Sequence, residues 1–95
     1  MIRRSKADEQ GSVRVTFSVD DEGVPLSVVG SFNDWDPLRH PLKKRSNGTR
    51  SVVVELPQGS EIHFRYLLDG GRFEDDPDAD LVHSGEGNPE GRIIV

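Results

Sequence analysis

Apolar and polar residues alternate along two long stretches of the chain, SVRVTFSVD (residues 12–20) and EIHFRYLLDG (residues 61–70). The apolar positions are Val13, Val15, Phe17 and Val19 in the first stretch and Ile62, Phe64, Tyr66 and Leu68 in the second. A repeat of two places every apolar side chain on one face of an extended strand, whereas a helix needs a longer repeat. The pattern therefore predicts two half-buried β-strands.

Shorter apolar runs are separated by turn residues. They are LSVVGS (residues 26–31), RSVVVELP (residues 50–57) and RIIV (residues 92–95), with a short extended piece around Phe73. Gly, Pro, Asn and Asp lie between these runs, and no segment keeps helical periodicity over several turns. We therefore predict an all-β fold, an antiparallel sandwich, with a loop-like segment over residues 75–91. The predicted core includes Val13, Val15, Phe17, Val28, Phe32, Val52, Val54, Phe64, Tyr66 and Ile94.

The first part of the chain differs from the rest in composition. Residues 1–11 are mostly polar and charged, so they bury too little apolar surface to offset the entropy of ordering. We predict a flexible N-terminal tail over residues 1–11 and one folded domain over residues 12–95, because 95 residues are too few to divide further. The basic residues near the start precede no apolar stretch, so they do not form a secretory signal.

Composition and charge exclude several classes of partner. The chain has no cysteine, which rules out disulfides and thiolate metal sites and suits a reducing cytoplasm. No apolar run approaches the roughly 20 residues of a membrane span. The formal net charge of −5 disfavours nucleic acid and anionic membranes as partners, whereas a neutral ligand such as a sugar is not repelled.

Residues with catalytic or metal-binding chemistry are scattered. The histidines are His40, His63 and His83, which have no metal-ligand spacing and are expected on the surface or on a sheet face. The acidic segment EDDPDAD (residues 74–80) lacks the glycine and terminal glutamate of an EF-hand loop, so we interpret it as a solvated turn. We therefore predict no catalytic residue, no metal and no cofactor, and a protein that is not an enzyme.

The turn GSFNDWD (residues 30–36) contains the only tryptophan of the chain. In one interpretation the turn is structural: Gly30 and Asn33 tolerate a left-handed backbone, Phe32 closes the end of the sandwich, and Trp35 caps the core. In the other, Trp35 is half exposed and stacks on the apolar face of a glucose ring, while nearby polar groups bind the sugar hydroxyls. The residues alone leave both interpretations open.

Several motifs together resemble a known family. They are VVGSFNDWDP with HPLKK, then VVVELPQGSEIHFRYLLDG, then DDP and the closing IIV. Over about residues 13–95 this series resembles the family 48 carbohydrate-binding modules. That family includes early-set domains at the N-terminus of isoamylases and glycogen-branching enzymes, and the glycogen-binding domain of the AMP-activated protein kinase β subunit. The resemblance implies an immunoglobulin-like sandwich that binds α-1,4-linked glucans such as glycogen, starch or maltodextrin.

The resemblance also implies a set of carbohydrate-binding residues. Trp35 matches the tryptophan that stacks on glucose, and Arg65 matches a basic residue that bonds to sugar hydroxyls. After the Asp-Gly turn the chain is one residue longer than the family pattern, so Phe73 is the nearest aromatic residue and Arg72 competes for its place. Near the last strand, Asn88 matches a hydrogen-bonding position. Glu86 replaces an apolar residue of the kinase-type members, which implies weak binding.

Two functions follow as hypotheses. The first is a non-catalytic module, a free-standing cytoplasmic monomer since no further domain follows Val95, that binds an α-glucan polysaccharide or maltooligosaccharide. The second is a protein-interaction module with a degenerate sugar site, which docks on a glycogen-metabolising or other glucan-processing enzyme. Exposure of Trp35 on one patch with Arg65 and Phe73 favours the first, and burial of Trp35 favours the second.

Overall fold

The chain folds into strands joined by turns. The structure, a computed structural model, describes residues 1–82 and 89–95. In these two ranges there are nine strands and no helix, so no helix of the described residues is able to span a membrane. The strands are β1 (Ile2–Arg4), β2 (Ser12–Asp20), β3 (Leu26–Gly30), β4 (Lys43–Lys44), β5 (Thr49–Pro57), β6 (Glu61–Leu68), β7 (Arg72–Glu74), β8 (Asp80–Val82) and β9 (Glu90–Ile94).

The strands form two antiparallel sheets that pack against each other. One sheet has the order β1-β2-β5-β4, and the other has the order β3-β6-β9-β8, with β7 also paired to β6. In the first sheet β2 and β5 pair along their whole length, from Ser12 opposite Pro57 to Asp20 opposite Thr49. The predicted immunoglobulin-like antiparallel β-sandwich is confirmed.

The core lies between the sheets, where the alternating strands place their apolar side chains. Phe17 of β2 and Phe64 of β6 are fully buried and meet edge to face, with ring centroids 5.0 Å apart. Buried aromatic side chains contribute most to the stability of a core of this size, because each removes a large apolar area from water. The predicted core residues that are buried are Val13, Val15, Phe17, Val28, Val54, Phe64 and Tyr66.

The prediction for the last strand is wrong by one residue. Ile94 is 46% exposed, whereas Ile93 is 4% exposed and belongs to the core. The cause is register: Ile93 lies opposite the inward-facing Ile62 of β6, so Ile94 points outward. Phe32 and Val52 are half-buried and pack against the core from its margin.

The beginning of the chain contains a strand that the sequence did not predict. β1 pairs with the edge of β2, with Ile2 opposite Phe17 and Arg4 opposite Val15, and Ile2 packs against the core. Its single apolar side chain is too weak a pattern to reveal a strand whose partner lies more than ten residues away. The proposed tail over residues 1–11 and the domain boundary at residue 12 stay predictions.

Two other short strands were also missed. β8 lies in the segment that was expected to be loop-like, and it pairs with β9 through Leu81 opposite Gly91. β4 pairs with β5 through Lys43 opposite Ser51. Both strands are short and polar or exposed, so they exist because a longer neighbour supplies hydrogen-bond partners and not because of their own pattern.

Candidate functional site

Trp35 lies on a tight turn directly after β3. The carbonyl oxygen of Gly30 accepts hydrogen bonds from the main-chain N–H groups of Asn33 (3.2 Å) and Trp35 (3.0 Å), and the carbonyl of Asn33 accepts one from Asp36 (3.1 Å). Asp34 and Trp35 have φ angles of 57° and 58°, which non-glycine residues seldom adopt. These bonds hold the turn so that 39% of the Trp35 surface is exposed.

The expected roles of Gly30 and Asn33 in the backbone of this turn are wrong. The left-handed residues are Asp34 and Trp35. Gly30 is needed for close packing instead, because a Cβ atom there would lie 2.4 Å from the carbonyl oxygen of His63 and 2.9 Å from the Cβ atom of Phe64. A side chain at Gly30 would therefore push β3 away from β6.

Asn33 fixes the turn from inside the protein. Its side chain is buried, with 2% of the residue exposed. Its Oδ1 atom accepts a hydrogen bond from the N–H of Gly30 (2.9 Å), and its Nδ2 group donates to the carbonyl of Val28 (3.0 Å). The same Nδ2 group lies 2.9 Å from Nδ1 of His40. Sequence reasoning missed this role of Asn33 and expected His40 on the surface or on a sheet face, whereas its Nδ1 atom contacts a buried amide. No local motif reveals a contact made only by the folded loop.

Phe32 anchors the same turn to the core. Its ring stacks on Phe17 with centroids 6.0 Å apart and an interplanar angle of 7°, and it lies 5.4 Å from the ring of His40. The two aromatic residues of the turn thus have different environments, since Phe32 packs against the core and Trp35 reaches solvent. The turn that carries the exposed indole is therefore fixed by Phe32 and by the buried Asn33.

Arg65 and Phe73 are in contact on the outer face of the five-stranded sheet. Nε and Nη2 of Arg65 donate to Oδ1 (3.0 Å) and Oδ2 (3.3 Å) of Asp75, and the guanidinium carbon lies 4.8 Å from the centre of the Phe73 ring. Phe73 is 45% exposed and the Arg65 side chain is 16% exposed. The two bonds to Asp75 use only part of the donors of a guanidinium, so this pair offers an apolar ring beside further N–H groups.

The register of β7 determines whether Phe73 or Arg72 lies on the same face of the sheet as Arg65. Phe73 lies opposite Leu67 and Arg72 lies opposite Leu68. Leu68 is buried in the core, so Leu67 and its partner Phe73 share the outer face with Arg65. Phe73 is therefore the residue that reaches Arg65, and Arg72 pairs with Glu74 at 3.5 Å.

The Trp35 turn begins beside the strand pair that carries Arg65. Val29 of β3 lies directly opposite Arg65, on the face turned away from the core residue Val28. Val29 is nevertheless only 1% exposed, so other side chains cover this part of the outer face. The structure brings Arg65 and Phe73 together and places the turn of Trp35 one residue after Val29.

Charged residues continue along the outer face of β6 and β9. Nδ1 of His63 lies 2.7 Å from Oε1 of Glu90. Arg92 donates a hydrogen bond to Glu61, which lowers the pKa of the Glu61 carboxyl, and His63 contributes in the same direction. This end of the face is occupied by ion pairs, whereas the apolar surface lies near Phe73.

The acidic segment is not uniformly solvated, so that interpretation was wrong for Asp76. Asp76 is 2% exposed; its Oδ2 atom accepts a hydrogen bond from the Tyr66 hydroxyl (2.6 Å) and one from the Met1 ammonium group (3.1 Å). Burial, followed by the hydrogen bond to Asp76, raises the pKa of Tyr66 far above its usual value. A phenol in this state stays protonated near neutral pH, so the pair is structural. Within residues 1–82 and 89–95, no three His, Asp or Glu side chains are grouped as metal ligands.

Trp35 and Phe73 are exposed at the surface, whereas the side chain of Arg65 is largely covered. One cleft of about 630 Å³ is lined by residues that include Val19, Tyr66 and Asp76, and Trp35, Arg65 and Phe73 do not line it. Small molecules usually bind in concave sites, whereas a polymer can lie along an open surface. Of the other predicted site residues, Asn88, together with Glu86 and His83, lies outside the described residues.

Comparison with known proteins gives matches to one kind of enzyme. The chain is 36% identical over 72 residues to a 1,4-alpha-glucan branching enzyme GlgB of Rhodopseudomonas palustris and, over a stretch of the same length, to one of Deinococcus radiodurans. It is 44% identical over 36 residues to a 1,4-alpha-glucan-branching enzyme of Rhizophagus irregularis. No family model matches the chain.

The matches cover unequal parts of the two proteins. Each bacterial match covers 74% of this chain but 10% of the relative, and the fungal match covers 38% of this chain and 5% of the relative. This small β-sandwich is therefore similar to a minor part of several glucan branching enzymes.

Proposed function

We propose that this protein is a non-catalytic carbohydrate-binding module of the family 48 type, which binds α-1,4-linked glucans weakly. Its proposed ligands are glycogen, starch and maltooligosaccharides, and its proposed state is a monomer in the cytoplasm. The observation that carries the proposal is the presentation of Trp35: its turn is hydrogen-bonded and anchored from inside, yet 39% of Trp35 is exposed. An indole exposed to this extent leaves part of its surface free, and a sugar ring can stack on such a surface.

Arg65 and Phe73 supply the complementary chemistry. Phe73 is a second exposed ring, and Arg65 lies against it with its guanidinium oriented by Asp75. A sugar has apolar C–H faces and a rim of hydroxyl groups, so a surface that binds it needs rings beside hydrogen-bond donors. The uncharged ligand is also compatible with the net charge of −5.

The similarity to glucan branching enzymes supports the same class of ligand. Those relatives act on α-1,4-glucan according to their names, and this chain matches them over up to 74% of its own length. The matched part is 10% of the bacterial enzymes, which is consistent with a binding module but not with a whole catalytic domain. The non-catalytic role is therefore part of the proposal.

An NMR titration of the ¹⁵N-labelled protein with maltoheptaose tests the proposal. We expect a Kd near 1 mM, about 4 kcal/mol weaker than micromolar binding, since Glu86 replaces an apolar position of the resembled modules. Shift changes should centre on Trp35, Arg65 and Phe73. Cellohexaose, which has β-1,4 linkages, is the matched control ligand. Equal binding of both sugars, or shifts centred on the opposite sheet, would contradict the proposal.

One observation favours a second candidate, a module that docks on a glucan-processing enzyme. Arg65 is committed to Asp75 by two hydrogen bonds and only 16% of its side chain is exposed, so it has less freedom to bind sugar than a fully exposed arginine. No shift change at 10 mM maltoheptaose, about tenfold above the expected Kd, would favour this candidate. Binding of maltoheptaose that is lost in Trp35→Ala would reject it as the main function.

A further inference from the structure

His40 and Asn33 form a contact in which the hydrogen positions are determined. Oδ1 of Asn33 faces the N–H of Gly30, which only donates, and Nδ2 faces the carbonyl of Val28, which only accepts. The two main-chain partners therefore fix the orientation of the amide. The second N–H of Nδ2 then points at Nδ1 of His40, 2.9 Å away.

His40 must accept this hydrogen bond at Nδ1. A ring nitrogen accepts only when it carries no proton, so the folded turn requires neutral His40 with its proton on Nε2. Protonation of Nδ1 would set an N–H group against the N–H of Asn33. The buried amide would lose a partner and could not rotate without losing both of its main-chain bonds.

The same contact is linked to the Trp35 turn. Asn33 is buried, and Gly30, whose N–H it binds, supplies the carbonyl that holds the Trp35 N–H. His40 also joins the turn to β3, because its carbonyl accepts a hydrogen bond from the N–H of Val28 (3.0 Å). A change at His40 therefore reaches Trp35 through one buried side chain.

We propose that neutral His40 positions Trp35 through Asn33, and that protonation of His40 releases the turn, so that the presentation of Trp35 depends on pH. His40 is a positioning residue in this proposal and does not itself contact the ligand. The effect on glucan binding rests on the proposed function, whereas the effect on Trp35 does not.

The charged groups near the contact are a cation and a carboxylate of the same loop. Arg39 precedes His40, and burial, followed by the charge of Arg39, lowers the pKa of His40. Asp36 of the same turn pairs with Arg39 at 3.6 Å. From β6, the main-chain N–H of His63 donates to Oγ of Ser31 in the turn (3.1 Å), and Nδ1 of His63 lies 2.7 Å from Oε1 of Glu90. His63 is a second histidine bonded to this turn, so a variant at His63 serves as the control.

The fluorescence of Trp35 measures the proposed change directly, because the chain has no other tryptophan. We expect the emission spectrum of the folded protein to shift in one step as the pH falls from 8 to 5, with a midpoint below about 6.5. His40→Asn places an amide oxygen near the position of Nδ1 that accepts the hydrogen bond and does not titrate, so this variant should keep the high-pH spectrum throughout. His63→Gln is the matched control and should keep the step.

Three results would overturn the proposal. They are a wild-type spectrum that does not change while the protein stays folded by circular dichroism, a step that persists unchanged in His40→Asn, and a step that disappears in His63→Gln alone. If His40→Asn does not fold, ¹⁵N NMR of the wild-type imidazole decides: an unprotonated Nδ1 at pH 7.5 supports the proposal, and a protonated Nδ1 overturns it.

Titration with maltoheptaose at pH 7.5 and pH 5.0 then separates this inference from the proposed function. We expect the Kd of the wild type to rise at least about fivefold at pH 5.0 and that of His40→Asn to stay constant. A fluorescence step that depends on His40, without sugar binding at either pH, supports the role of His40 and rejects the proposed function. Sugar binding by a wild type whose fluorescence shows no step supports the proposed function and rejects the role of His40.

Discussion

Trp35 stays at the surface because its neighbours, and not Trp35 itself, anchor the turn. Phe32 stacks on Phe17 at the margin of the core, and Asn33 is buried with its amide bound to the main chain of β3. With both interior positions filled, the chain enters the left-handed region at Asp34 and Trp35 and directs the indole outward. The turn is a built support for an exposed ring, which is the physical reason to prefer a binding role over a capping role.

Gly30→Ala tests the close packing of β3 against β6 at Gly30, where this turn begins. The new Cβ atom would overlap main-chain and Cβ atoms of β6, so we expect a loss of about 3 kcal/mol in the free energy of unfolding, as for an overpacked core site. Gly11→Ala is the control: no atom lies within 4 Å of its Cβ position, and only the positive φ of 79° opposes it. The control should lose about 1 kcal/mol. Equal losses in urea unfolding of the two variants would show that the close approach is not the cause.

β6 links the core to the candidate surface because its two faces have different roles. Its inward side chains, Phe64 and Tyr66 among them, are buried, and Arg65 between them faces outward to Asp75 and Phe73. The antiparallel partner β3 carries the Trp35 turn at its end. A rigid central strand thus fixes the position of Arg65, and β7 brings Phe73 to it.

The long strands could be predicted from the sequence, and the reason is their alternating pattern. β2 coincides with the stretch SVRVTFSVD, and β6 begins at the predicted residue, since each has a whole face of apolar residues. RIIV has two adjacent isoleucines, so its pattern fits either register, and Ile94 was chosen where Ile93 is buried. The short strands β1, β4 and β8 have almost no pattern of their own and depend on the longer strands with which they pair.

The candidate site could be predicted only in part, because its contacts depend on the tertiary structure and not on a local pattern. Trp35 and Arg65 match motif positions, and Phe73 is the aromatic residue nearest to one. The exposure of Trp35 and the contact between Arg65 and Phe73 follow from turns and register, which a motif does not encode. The bonds of Asn33 to His40 and of Arg65 to Asp75 need the folded loops to bring the side chains together. Sequence reasoning finds residues with the right chemistry, whereas their pairing is a property of the tertiary structure.

β1 gives a prediction about the beginning of the chain. It is an edge strand of three residues with one apolar side chain, so its hydrogen bonds should open without unfolding of the sandwich. We expect the amide of Ser5, which donates to the Arg14 carbonyl, to exchange at least about tenfold faster than the amides of Val54 and Phe64. Hydrogen exchange followed by NMR measures this. Equal protection would mean that residues 1–11 form an integral part of the domain and not a flexible tail.

The stability of the whole molecule should decrease in two steps as the pH falls, and the first step comes from His40. Because the folded pKa of His40 is below its ordinary value, the unfolded chain binds the proton more readily. Stability is therefore unaffected at pH 8 and falls from about pH 6.5 down to the folded pKa. Urea unfolding at pH 8.0 and pH 5.5 measures the step. His40→Asn should reduce it, and a wild type that is more stable at pH 5.5 would contradict the assignment.

The second step comes from carboxyl groups bound by N–H groups. A hydrogen bond from the main chain of Gly23, followed by one from Arg50, lowers the pKa of Asp21, and Arg92 lowers that of Glu61. Their contribution is present above the ordinary pKa values and is lost as the pH falls through the lower folded values. Unfolding measured between pH 4.5 and pH 2.5 should show this loss. Asp21→Asn should flatten the curve there, and an unchanged slope would exclude Asp21 as a cause.

The net charge gives a prediction that distinguishes a sugar from a charged partner. A neutral glucan has no ion pairs to be screened, so its Kd should change by less than about twofold between 50 and 500 mM NaCl, despite the protein charge of −5. A protein partner that docks through the ion pairs of His63, Arg65 and Arg92 would bind several times more weakly at the higher salt. Calorimetric titration at the two salt concentrations measures the difference.

The most direct test compares maltoheptaose binding by Trp35→Ala and by Val53→Ala. Trp35 and Val53 are both exposed, at 39% and 49%, but Val53 lies on β5 of the opposite sheet. If Trp35 stacks on glucose, Trp35→Ala should weaken binding by about 1–3 kcal/mol, the usual cost of losing an aromatic anchor, and Val53→Ala should leave the Kd unchanged. Equal affinity of folded Trp35→Ala and the wild type would contradict the proposed glucan-binding surface.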